Sequence, residues 1–233
     1  AIVITKQYGK IKEQVLEQLD NDLIAPEKLP IKKKTQAVPA LRKRNNQHEL
    51  IIRQRLIESA EGRLIGVVDE FEAVFSMLSK YPKTVTVFGS ARKPQDDDIT
   101  IAAYEASKRL ADEGYAVVTG GGHGVMAASN RGAYEAGGAS IGLNILLPRE
   151  QTLNEYTTEN FEFKHFFSRK VAMTLDASAY LFFPGGFGTF DELFEMLALE
   201  QTQKIPPAPI ILVGSEYWKP VDRLIKDLLL KEY

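Results

Sequence analysis

The stretch Tyr115-Ala116-Val117-Val118-Thr119-Gly120-Gly121-Gly122-His123-Gly124-Val125-Met126 runs an apolar strand into a glycine turn and directly into a helix. The same grammar repeats outward from it. Upstream, Thr84–Phe88 reads as a strand, with Gly89-Ser90-Ala91-Arg92 at its end and a helix over Ile101–Glu113. Downstream, a helix over Val125–Glu135 closes at Gly137-Gly138, and Ser140–Leu146 reads as the next strand. A loop and a helix lead to a strand at Ala179–Phe183, a helix from about Phe190, a strand at Pro209–Val213 and a last helix from about Tyr217. Five strands alternating with helices predict an α/β protein, a Rossmann-like doubly wound parallel sheet with helices on both faces. In such a sheet ligands bind beyond the carboxyl ends of the strands, so the turns that follow Phe88, Thr119 and Phe183 share one edge.

Residues 1–80 read differently, as an N-terminal helical extension, and residues 81–233 as the Rossmann-like domain. Ile11, Val15, Leu16 and Leu19 share one helical face, Pro26, Pro30 and Pro39 punctuate the next stretch of chain, and seven basic residues with no acidic one lie between Lys28 and Arg44. Such a basic run reads as a solvated arm or as a contact for an acidic partner. From about Gln47 to Lys80 the apolar spacing is helical, through Leu64, Val67, Val68, Phe71, Val74, Phe75 and Leu78.

The 233 residues carry 29 basic and 31 acidic side chains, a net charge of −2, which argues against a nucleic-acid partner working through bulk charge. Zero cysteines exclude disulfides, thiolate metal sites and a thiol nucleophile. His48, His123 and His165 lack metal-ligand spacing, so no metal is expected. No apolar run approaches the roughly 18 residues needed to span a bilayer, and no signal-peptide pattern opens the sequence. The expectation is a cytoplasmic protein without a membrane partner.

The third turn, Pro184-Gly185-Gly186-Phe187-Gly188-Thr189-Phe190-Asp191-Glu192, again joins strand to helix. Its backbone N–H groups and helix dipole suit an anion. Neither the turn at Gly120–Gly124 nor this one has the Gly-Lys-Ser/Thr of a P-loop, and the strand over Ser140–Leu146 carries Asn144 near its end rather than a carboxylate for a ribose diol. A mononucleotide or sugar phosphate therefore fits better than ATP or NAD. Thr189 and Glu192 have two readings. Thr-x-x-Glu at a helix start is a capping box, whereas a carboxylate on the ligand edge beside three glycines suits glycosidic chemistry. Arg169 and Lys170 open a helix, and since neighbours on a helix diverge by about 100°, at most one of them enters the site squarely.

Taken together, Gly120-Gly121-Gly122-x-Gly124-Val125-Met126, Leu147-Pro148-Arg149-Glu150, Arg169-Lys170 and Pro184-Gly185-Gly186-x-Gly188-Thr189-x-x-Glu192 resemble the Lonely Guy family of cytokinin riboside 5′-monophosphate phosphoribohydrolases. The resemblance covers about Thr84 to Tyr233. His123, standing alone between Gly122 and Gly124, is similar to the longer bacterial members. The resemblance implies hydrolysis of the N-glycosidic bond of a purine or cytokinin nucleoside 5′-monophosphate, with AMP-like substrates, no cofactor and a homodimer. It assigns catalysis to Arg169 and Glu192. It assigns substrate contact to Ser90, Gly121, Gly122, Met126, Glu150, Lys170, Gly185, Gly186, Phe187, Gly188 and Thr189. The family's older label, possible lysine decarboxylase, would need a Schiff-base lysine with a pyridinium partner, and Lys170 beside Arg169 suits phosphate better. The alternative on this fold is a carrier of a nucleotide or of molybdenum cofactor, which binds without turnover.

Overall fold

Short apolar segments pair into one sheet in the computed structural model, which describes residues 2–5, 66–146, 152–175 and 177–229. The strands are β1 (Ile2–Thr5), β2 (Thr84–Phe88), β3 (Ala116–Thr119), β4 (Ser140–Ile145), β5 (Glu159–Phe163), β6 (Ala179–Phe182) and β7 (Ile210–Val213). The helices are α1 (66–78), α2 (Asp98–Asp112), α3 (Val125–Glu135), α4 (Phe166–Thr174), α5 (Phe187–Gln201) and α6 (Ser215–Leu224). All seven strands run parallel, in the order β1-β7-β6-β2-β3-β4-β5. The sheet is the doubly wound one that the alternation predicts.

Alternation along each strand builds two cores. Val85 and Val87 of β2, Leu181 of β6 and Ile211 and Val213 of β7 pack against Ala102, Ala103, Ala106 and Ala128 of α2 and α3. On the opposite face Phe88, Phe182 and Leu212 meet Val74 of α1, Met173 of α4, Leu193 and Met196 of α5 and Trp218 of α6. Both faces are covered, so the strands read as continuous apolar runs. The alanine-rich pair α2 and α3 lies very close: a Cβ on Gly132 would stand 2.2 Å from the Tyr104 carbonyl oxygen.

The chain goes from β2 outward to β3, β4 and β5, then returns across the sheet to β6 on the other side of β2. The strand order therefore reverses between β2 and β6, which opens a crevice at their carboxyl ends. Two segments depart from expectation. Glu159–Phe163, read as loop because its polar residues alternate without a strong apolar run, is the edge strand β5, where one face stays half-exposed. Ile2–Thr5, read as part of an arm, pairs in register with Ile210–Val213. The amphipathic candidate around Ile11–Leu19, the basic run 28–44 and the first part of the 47–80 helical pattern lie outside the described residues. Among the described residues no helix is long and apolar enough to cross a membrane, and no group of His, Cys, Asp and Glu could hold a metal ion.

Candidate active site

The crevice at the reversal point holds a cavity of about 760 Å³. Its wall is drawn from the turn after β2, the turn after β6, and the starts of α3, α4, α5 and α6. Backbone bonds staple the turns together. Ser90 N–H donates to the Pro184 carbonyl at 3.1 Å, and the Ser90 carbonyl accepts from Val125 N–H at 2.9 Å. The Ser90 hydroxyl accepts from Arg92 N–H at 3.1 Å. Gly124 holds a φ of +62°, and a Cβ there would lie 2.2 Å from the Ser90 oxygen, so only glycine lets the two turns meet.

The glycines after β6 divide into two kinds. A Cβ on Gly185 would overlap Thr189 Oγ1 at 2.1 Å, so this glycine serves internal packing. A Cβ on Gly186 or Gly188 would meet nothing within 4 Å among the described residues, and neither has a left-handed φ. Packing among the described residues does not require glycine at those two positions. Both line the cavity, where missing side chains leave the first N–H groups of α5 open to a bound group.

Helix α5 starts at Phe187 with Gly186 as its N-cap, and Gly186 makes no side-chain cap bond. Thr189 and Glu192 therefore lie inside the helix rather than astride its start, and the capping-box reading is overturned. Thr189 N–H is satisfied by the Gly186 carbonyl at 3.0 Å. Glu192 is 8% exposed, and its Oε2 has no hydrogen-bond partner among the described residues. Burial pushes its carboxyl up to about 7, with Glu195 and Asp191 adding to the rise and Lys170 and Arg169 opposing it. A carboxyl of this kind can hold or release a proton near neutral pH.

Arg169, on α4, threads its side chain through a slot in the turn after β3. Its Nε donates to the Leu143 carbonyl at 2.6 Å. A Cβ on Gly120 would lie 2.2 Å from one guanidinium nitrogen and 2.8 Å from Met126 Sδ, so Gly120 makes room for both side chains. Burial lowers the guanidinium's affinity for its proton and the nearby Glu192 charge restores part of it; an arginine stays charged throughout. Lys170, the next residue, turns away to α5, where its Nζ lies 2.7 Å from Asp191 Oδ2 and 2.7 Å from Glu195 Oε2.

Of the residues the sequence singles out, Ser90, Met126, Arg169, Gly185, Gly186, Phe187, Gly188, Thr189 and Glu192 line the cavity. Lys170, Gly121 and Gly122 do not. The two glycines belong to a buried network: Gly121 N–H donates to Thr119 Oγ1 at 2.9 Å, and Asn154 donates to the Gly121 and Gly122 carbonyls at 2.8 and 3.0 Å. Glu150 lies outside the described residues.

Two residues escape the sequence reading. Tyr217, from the start of α6, lines the cavity and donates its hydroxyl to the Gly185 carbonyl at 2.5 Å. Glu70, on α1, is buried and receives Lys164 N–H at 2.7 Å, the Ser168 hydroxyl, and His165 Nδ1 at 3.2 Å. It thereby fastens α1 to the first turn of the helix that carries Arg169. Spacing of 32 and about 100 residues hides both pairings from local pattern.

The family described as "possible lysine decarboxylase" matches residues 126–233. A cytokinin riboside 5′-monophosphate phosphoribohydrolase of Oryza sativa subsp. japonica is 34% identical over 128 residues, 53% of this chain and 51% of the relative. A probable enzyme of the same name from the same organism is 30% identical over 140 residues, 58% of this chain and 55% of the relative. The chain thus spans about half the length of the curated relatives it matches. Among solved structures, the molybdenum cofactor carrier protein of Chlamydomonas reinhardtii aligns with a TM-score of 0.49 at 24% identity, covering 63% of this chain and 86% of that one.

Proposed function

For a chain whose residues 126–233 match this family, we propose hydrolysis of the N-glycosidic bond of a nucleoside 5′-monophosphate, giving free base and ribose 5-phosphate. The observation that carries the reading is Glu192, a buried carboxyl with an oxygen unpartnered among the described residues, lining a cavity beside two glycines that packing among those residues does not require. The 5′-phosphate occupies the start of α5, held by N–H groups that the helix leaves unpaired. That seat directs the ribose toward Glu192. As the bond from C1′ to the base nitrogen breaks, its electron pair leaves with the base and positive charge grows on the ribose. The Glu192 carboxylate stabilises that charge and takes a proton from the water that adds to C1′; the proton ends on the base. Arg169, already desolvated, faces the charge that develops on the departing base.

AMP-like purine nucleotides are the substrates in this reading, with N6-substituted cytokinin nucleotides as its narrower form. The protein acts in the cytoplasm, where such nucleotides occur, and as a homodimer. The exposed side chains of Phe166 and Phe187, which line the cavity, support association through this face. The test is incubation with a panel of 5′-monophosphates and the matching nucleosides, following ribose 5-phosphate and free base. AMP is expected to be cleaved and adenosine spared. Equal rates on both, or nucleotide binding with no product, would replace the hydrolase with another nucleosidase or with a carrier. Light scattering at micromolar concentration in high and low salt checks the dimer, and a monomer in both removes it.

A further inference from the structure

We propose that Tyr217 is a positioning residue that locks the peptide plane between Gly185 and Gly186, and so holds the anion seat in its binding orientation. The proposal rests on the reading of a phosphate at this turn. It concerns a residue from a different element, 32 positions away from the glycine it touches.

The plane in question has a glycine on each side. Rotation of such a peptide changes ψ of Gly185 and φ of Gly186, and no Cβ on either residue resists it. A half-turn would exchange the two ends of the peptide and present a carbonyl oxygen where an N–H had been. Toward a phosphate that exchange replaces attraction by repulsion. The Gly185 carbonyl is held by the Tyr217 hydroxyl at 2.5 Å. In a trans peptide the next N–H points the opposite way from the carbonyl. The bond therefore fixes the direction of the Gly186 N–H as well.

Tyr217 is itself well anchored for this task. Its ring meets Trp218 edge-on at 4.9 Å and lies 6.3 Å from Phe190 of α5. Trp218 is fully buried, and its indole N–H donates to the Val213 carbonyl at 3.1 Å at the end of β7. The hydroxyl thus hangs from the sheet through a rigid aromatic pair. The other end of the turn is fixed too, since the Pro184 carbonyl accepts from Ser90 N–H and the Gly186 carbonyl accepts from Thr189 and Phe190. The Gly185 carbonyl is the remaining link, and Tyr217 supplies it.

The experiment compares wild type with Tyr217→Phe, which keeps the ring and its packing and removes only the hydroxyl. Binding of ribose 5-phosphate and of inorganic phosphate is measured by calorimetry, independently of turnover. Loss of one hydrogen bond to the cradle is expected to weaken both about five- to tenfold. KM for the nucleotide should rise by a similar factor, with kcat within about twofold. In the ligand-free protein the Gly186 amide resonance should shift or broaden in Tyr217→Phe, because the freed plane samples a second orientation; a tyrosine touching only the ligand would leave that resonance in place. Unchanged phosphate affinity in the variant overturns the proposal, as does an unmoved Gly186 resonance. Wild-type protein that binds neither anion overturns it together with the phosphate seat. Wild-type protein that binds ribose 5-phosphate but cleaves no nucleotide defeats the hydrolase reading alone, and the Tyr217 comparison then stands on binding.

Discussion

Replacing Glu192 by Gln keeps the shape of the side chain and removes its charge, so stability and rate should move in opposite directions. The carboxyl is 8% exposed and its affinity for a proton is raised from the usual 4.5 to about 7, first by burial. For an acid whose folded value lies above its unfolded one, the folded state holds the proton longer. The cost of ionising it in place is absent below pH 4.5, accumulates as pH rises to about 7 and is complete above that. At about 1.4 kcal/mol for each pH unit the total is about 3 kcal/mol. Glu192→Gln never carries this cost. Its melting temperature should match wild type near pH 4.5 and exceed it by roughly 6 to 12 °C at pH 8. Over the same range kcat should be lower by about 10²- to 10⁴-fold in the variant, while wild-type kcat/KM climbs with a midpoint near pH 7. Thermal unfolding from pH 4.5 to 8, paired with ribose 5-phosphate release, measures both. Melting curves that stay parallel across that range, or a variant less stable at every pH with its rate intact, would refute the assignment and return Glu192 to a structural role.

Gly120→Ala pushes a methyl group to within 2.2 Å of the Arg169 guanidinium and 2.8 Å of Met126 Sδ. The fold should survive at a cost of about 1 to 3 kcal/mol, while kcat drops at least tenfold as Arg169 is displaced; unchanged turnover would remove Arg169 from the reaction. Lys170→Met removes the cation that Asp191 and Glu195 share and that holds the Glu192 proton affinity down. The pH–rate midpoint should move upward, and a midpoint that stays in place speaks against that coupling. Glu70→Ala strands the donors Lys164 N–H, Ser168 and His165, and should cost about 2 to 4 kcal/mol in denaturant unfolding. Burial raises the Glu70 carboxyl, but the bonds from Ser168, Lys164 and His165 together hold it below the usual value. Its stabilisation is present above pH 4.5 and fades as pH falls through that lowered value, so the gap between wild type and variant should close in acid.

The strand–glycine–helix units were readable because they are local. Apolar runs such as Thr84–Phe88 and Ile210–Val213 are short and flanked by turn residues, and a parallel sheet with two covered faces follows from their alternation with helices. Edge strand β5 was not readable, since the alternation of Phe161 and Phe163 with Asn160 and Glu162 runs over too few positions to stand out. The candidate site was legible as a set of glycines with Arg169 and Glu192, but their division of labour was not. Sequence alone left Glu192 between a cap and a reacting group. The start of α5 at Phe187, with Gly186 as its N-cap, settles that it is no cap, and burial leaves its oxygen without a partner among the described residues. Likewise, adjacent positions made Arg169 and Lys170 equivalent on paper, whereas the helix sends one into the cavity and the other to Asp191 and Glu195. Gly186 and Gly185 look alike in the motif, yet only a three-dimensional neighbourhood shows that one is required by Thr189 and the other by nothing among the described residues. Short-range sterics and hydrophobic period are properties of neighbouring residues and are written locally. Which side chains share a cavity depends on the order in which strands β2, β6 and β7 lie side by side, and that order is set by the packing of the whole sheet.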